Sequence, residues 1–201
     1  MPNLLKQFNI FIANLKGNYF MWQSRDISLV IVTAVAVFVS TLLIFQYASV
    51  LTGIVGANYI FTIGMAFFVS LTFLLFEGRK WRFFLHNTLV ALLTLPTTLG
   101  GPPYDIFPRL ILVLVGVLAD LLFNSFYKVF KNRNQLVYWS IIVGAGFFLI
   151  LPFFQILFFP VFFPPQFVEN FTRVVILMLP WIIAGGVAGG YLGFKIYDRV
   201  S

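Results

Sequence analysis

Apolar side chains run along this chain in stretches of about 20 residues, the length a helix needs to cross the ~30 Å hydrocarbon core of a bilayer. Six such stretches lie at roughly 27–47, 54–76, 83–99, 110–127, 136–158 and 171–194. The second runs from Ile54 to Phe76 without an ionisable side chain and is closed by Glu77, Arg79, Lys80 and Arg82. The third is short, with Pro96 near its end. The fifth holds Pro152 and Pro160, which predicts a kink or an exit from the membrane near Phe159. No extramembrane domain fits between the spans. Residues 26–201 therefore predict one all-α integral membrane unit, a bundle of six transmembrane helices.

Residues 1–25 carry a different pattern. Leu4, Leu5, Phe8, Phe11, Ile12 and Leu15 share one face of a helical wheel, and Lys6, Asn9, Ala13 and Lys16 lie opposite. This predicts an amphipathic helix at the cytoplasmic interface, serving as a surface anchor or as a docking helix for a partner. Polar interruptions and the lack of a small-residue cleavage site argue against a signal peptide.

Composition agrees with the membrane reading. Hydrophobic residues make up 61% of the 201 and charged residues 9%, with mean hydropathy +0.98. A soluble domain carries about 25% charged residues, so a soluble enzyme or nucleic-acid module is excluded. The chain has no cysteine, one histidine and six carboxylates, which removes thiol chemistry and makes a metal centre a poor expectation. The net charge of +7 is a topology signal. Eleven of the thirteen Lys and Arg fall on one side of the six-span arrangement, and only Arg109 and Arg173 on the other. The positive-inside rule then predicts a multi-pass protein of the cell membrane with both termini cytoplasmic.

Polar residues within or beside the spans are the candidates for function. Asp120 lies eleven residues after Arg109, about 16 Å along a helix, where a bare carboxylate costs roughly 2.5–3.5 kcal/mol. It is either a ligand, proton or ion site, or a carboxylate hydrogen-bonded between helices with Asn124 one turn away. The outer face collects Asn58, Tyr104, Asp105, Arg109, Glu169 and Arg173. These are either pocket groups or ordinary interfacial anchors with two i,i+4 pairs. In the last span Gly185, Gly189 and Gly193 repeat every four residues, as do Gly186 and Gly190. Such nearly bare faces serve close packing within the bundle or a docking surface for another membrane protein. Ala36 and Ser40 form a weaker patch in the first span. No metalloprotease helix, nucleotide-binding glycine loop or catalytic triad is present, and nothing points to an enzyme.

Six spans in about 200 residues, the short turn before residues 109–122 and the glycine-rich end of the last span resemble the substrate-binding S components of energy-coupling factor (ECF) transporters. The resemblance implies a subunit that captures a vitamin-like solute from outside, with no cofactor of its own. It also implies association with a transmembrane coupling protein and cytoplasmic ATPases, which supply the energy. By this likeness Tyr104, Asp105, Arg109, Asp120, Glu169, Arg173 and Trp181 are pocket candidates beside Asn58. Ala36 and Ser40 would belong to the coupling surface, together with the Gly185, Gly189, Gly193 column. The family's alanine pair stands here as Ala36 and Ser40, and the histidine-bearing N-terminal motif of the metal-transporting branch is missing. The competing expectation is a scaffold or interaction protein of the cell envelope. A proton- or ion-coupled carrier is a third, disfavoured by the single intramembrane carboxylate and the lack of an inverted repeat.

Overall fold

A computed structural model of the chain describes residues 22–99 and 103–200. The predicted amphipathic helix lies almost wholly outside the described residues. Among those residues the chain is all-helical. Helix α1 (Ser24–Ser40) passes through a π-helical turn (Thr41–Phe45) into α2 (Tyr47–Thr52). A 3₁₀ turn (Ala57–Phe61) leads into α3 (Thr62–Leu75), followed by α4 (Arg82–Thr94). Three long helices follow: α5 (Ile106–Asn132), α6 (Leu136–Phe162) and α7 (Pro165–Val200).

Among the described residues, five helical segments are long and apolar enough to cross a membrane: Ser24–Thr52, Ala57–Leu75, α5, α6 and α7. Their outward faces are apolar as well. Ile31, Val32, Leu43, Phe126, Phe153 and Leu177 are all exposed, a pattern that water disfavours and lipid accommodates. On α1 the buried stripe is Asp26, Val30 and Ala34, one face at four-residue spacing, and most of the rest is bare.

The third predicted span differs. Its helix ends at Thr94: Leu95 still has helical dihedrals (φ −53°, ψ −47°), but Pro96 has no N–H to extend the helical ladder, and the chain turns from Leu95 to Leu99. Thirteen residues make about 20 Å of helix, short of the hydrocarbon thickness. Its buried face is correspondingly polar, with Arg82, His86, Asn87 and Thr94 among the buried side chains. In α6 the helix runs through Pro152 and Pro160 to Phe162, past the predicted exit near Phe159.

Helix α7 lies against α3 and α6, and its glycines explain how closely. A Cβ on Gly186 would sit 2.6 Å from Ala145 Cα, and one on Gly190 would sit 2.6 Å from Ser140 O. On the other side, Gly185, Gly189 and Gly193 face Thr62, Ile63, Ala66 and Ser70 of α3. Ser140 Oγ donates to Gly190 O at 2.7 Å, and Ser70 Oγ to Ser140 O at 3.1 Å. These columns are therefore buried against α3 and α6, as close packing within the bundle requires. Aromatic rings fill the two ends of the bundle. Phe73 stacks on Phe83 at 3.9 Å and meets Phe123 and Trp139 edge-on. At the opposite end Phe163 stacks on Phe167 at 4.5 Å, beside Phe159 and Phe171.

Candidate binding cavity

Two adjoining chambers with shared walls open among α1–α2, α3, α4, α5, α6 and the start of α7. The outer one, about 500 Å³, is walled by the 53–56 turn, Tyr59 and the phenylalanines of the α6–α7 corner. The inner one, about 190 Å³, reaches Thr41, His86, Asn87 and Arg109. Gln46, Asn58, Met65, Phe148, Leu151, Gln155 and Phe159 line both and so form the neck between them. The space lies at the end of the bundle where α3 begins and α4 finishes. The cation-bearing turns, with Arg79 and Lys80 just before Arg82 at the start of α4 in one and Arg133 in the other, are at the opposite end.

Local backbone features give the cavity its polar groups. The π-helical turn, a device often found at functional sites, ends immediately before Gln46. Gly53 and Gly56 both have positive φ (67° and 86°) and fold the chain over the outer chamber. A side chain on Gly56 would also meet the Phe171 ring at 3.4 Å. The buried Tyr59 hydroxyl donates to Gln155 Oε1 at 2.7 Å. That bond fixes the Gln155 amide, leaving its NH₂ group as a donor. Thr62 Oγ1 donates to Tyr59 O, and Trp181 Nε1 to Ile60 O at 3.0 Å, which ties the 3₁₀ turn to α3 and α7.

At the inner end, His86 Nδ1 and Asn87 Oδ1 are 3.2 Å apart, and Asn87 Nδ2 donates to Leu112 O at 3.2 Å. The His86 ring stacks on Phe83 at 5.3 Å. Arg109, 4% exposed, spreads its guanidinium over main-chain carbonyls. It donates to Asp105 O at 2.7 Å, Thr97 O at 2.8 Å and Thr94 O at 3.1 Å. The last two belong to the end of α4 and the turn after it.

Asp120 does the complementary work at the other end of the same helix. Its carboxylate accepts from Trp81 N at 2.9 Å, Phe84 N at 3.0 Å and Asn124 Nδ2 at 2.8 Å. Asn124 also donates to Arg79 O at 3.3 Å. The eleven-residue step from Arg109 to Asp120, about 16 Å, comes close to the ~20 Å length of α4. An anion sits at the amino end of α4 and a cation at its carboxyl end, each complementing the helix dipole. A helix too short to reach the interface leaves its terminal N–H and C=O groups where water cannot serve them. Helix α5 supplies the partners.

Of the eight predicted pocket residues, Asn58 lines both chambers and Arg109 the inner one. Asp120 is not among the lining residues. Asp105 is the N-cap of α5, accepting from Phe107 N at 3.2 Å. Tyr104 is exposed, with φ 63°. Glu169 and Arg173 border a shallow external depression on α7, and Trp181 is partly exposed on the same helix. Ala36 and Ser40 are half-buried on α1.

Sequence reasoning missed Gln46 and Gln155. The available signal was an amide inside an otherwise apolar run, as in residues 153–157. It also missed Asp26, which pairs with Arg79 at 2.5 Å and Arg82 at 3.0 Å, with Trp22 lying over the Arg82 guanidinium at 4.0 Å. Among the described residues, no three His, Asp or Glu side chains come together as metal ligands. What the cavity offers is a site for an organic solute, with aromatic walls and a few polar groups, of a size that binding pockets commonly have. Comparison with known proteins gives no match to a family model, a curated protein or a solved structure.

Proposed function

We propose that the chain is the solute-capturing membrane subunit of an ECF-type uptake transporter, taking up a vitamin-like small molecule. The observation that carries this reading is the two-chamber cavity at the end of the bundle away from the cation-bearing turns. If those turns face the cytoplasm, as the positive-inside rule requires, the cavity opens outward and both termini are inside. In this arrangement α4 counts as the sixth, shortened span. Binding needs no chemistry on the solute, and the energy for its release inward comes from partner ATPases through a coupling membrane protein. The docking face for that protein is α1, the least covered of the spanning helices, around Ala36 and Ser40.

The test is to purify the tagged full-length chain in mild detergent and identify both retained small molecules and co-purifying proteins by mass spectrometry. A tightly held solute together with a coupling protein and ATPases is the expected result. An empty cavity and recovery with cell-envelope assembly proteins would replace this reading with the scaffold.

A further inference from the structure

The cavity neck narrows the chemical class of the solute, an inference that rests on the uptake reading and goes beyond it. Three residues with carboxamide side chains line both chambers there: Gln46 from the end of the π-helical turn, Asn58 from the 3₁₀ turn and Gln155 from α6. Gln155 is oriented by Tyr59. Among the described residues, the side-chain amides of Gln46 and Asn58 have no hydrogen-bond partner within the chain, and neither does Gln155 Nε2. Around them the walls are aromatic or apolar, with Phe148, Phe159, Met65 and Leu151 on both chambers. None of the residues at the neck itself is charged. Arg109 is spread over three carbonyls, and no Asp, Glu or Lys lines either chamber.

Free amides in an apolar slot each offer both a donor and an acceptor, and a ligand that fails to answer them leaves them dry and unpaired. Flat rings are matched by the phenylalanine faces. We infer that the neck reads a planar, uncharged heterocycle through an edge that carries alternating hydrogen-bond donors and acceptors, of the lactam or cyclic-imide type. Gln46, Asn58 and Gln155 are the contact residues, and Tyr59 is a positioning residue that holds the Gln155 amide in register.

Lumazine, a fluorescent bicyclic heterocycle with such an edge, and 1,3-dimethyllumazine, the same ring system with its imide N–H groups blocked, form the probe pair. Binding to the purified full chain would be read by fluorescence near neutral pH. The expected result is lumazine binding at least about tenfold tighter than the dimethyl analogue, the factor one lost buried hydrogen bond produces. Gln46→Leu, Asn58→Leu and Gln155→Leu should each reduce that preference. Tyr59→Phe should shrink it while leaving affinity for the dimethyl analogue in place, which a merely unfolded variant would not do. Equal affinity for the two probes, or no lumazine binding, overturns the inference. The retained-solute analysis of the same preparation separates the two failures. A bound charged or wholly apolar solute leaves the uptake reading standing without this edge recognition. No retained solute and no probe binding removes both.

Discussion

Replacing Asp120 separates a cap from a ligand contact. In the structure its two oxygens accept from Trp81 N, Phe84 N and Asn124 Nδ2, and the carboxylate is 1% exposed. Asp120→Ala leaves two partly buried main-chain N–H groups at the start of α4 without their acceptor. At about 1–3 kcal/mol for each buried donor left unsatisfied, the cost is about 2–6 kcal/mol. Loss of the anion at the helix amino end adds a contribution of the same sign. Against a typical stability of about 5–15 kcal/mol, that is enough to leave some of the protein unfolded. Asp120→Asn keeps one acceptor oxygen and therefore loses about half as much, 1–3 kcal/mol. Tryptophan fluorescence during denaturant titration in mild detergent gives the stability order, expected as parent, then Asp120→Asn, then Asp120→Ala. Solute retention, measured per folded molecule by mass spectrometry, should be unchanged in Asp120→Asn. An alanine variant as stable as the parent would refute the cap. A folded asparagine variant that retains no solute would return Asp120 to the binding site.

Four further substitutions test other parts of the structure. Leu151→Trp places a large ring in the neck between the chambers and should abolish solute retention while the unfolding midpoint stays near that of the parent. Gly186→Val drives a side chain into main-chain atoms of α6, where a Cβ would already lie 2.6 Å from Ala145 Cα. It should cost about 3 kcal/mol or more, read in the same denaturant titration. Gly53→Ala meets nothing within 4 Å and pays only for its positive φ, about 1–2 kcal/mol, so it should be clearly milder than Gly186→Val. Asp26→Asn removes the carboxylate that Arg79 and Arg82 share. Leaving the 3%-exposed Arg82 without that charge should cost about 3–5 kcal/mol, and a shift below 1 kcal/mol would show that the pair carries little.

The long helices were legible because each needs only an unbroken apolar run, although the run at 54–76 becomes α-helical only from Thr62, after a turn and a 3₁₀ helix at Ala57–Phe61. The glycine columns were legible as close-packing faces, but a face does not name its neighbour. Only the fold shows Gly186 against Ala145 and Gly189 against Ala66. The cavity was the least legible part. Charged residues inside a membrane attract a functional reading because they are costly there, and this drew attention to Arg109 and Asp120. Both meet the same cost for a different reason. Pro96 stops α4 early, the short helix strands its terminal amides and carbonyls in the bundle, and a carboxylate and a guanidinium spaced by close to the length of that helix satisfy them. The polar residues left to face the cavity neck are uncharged amides. One of them, Gln155, stands in a run of phenylalanines where no periodicity marks it out. In a chain of this kind, a buried charge has to be checked first against the ends of any helix too short to span. The polar atoms that remain unclaimed after that check are the ones free to meet a solute.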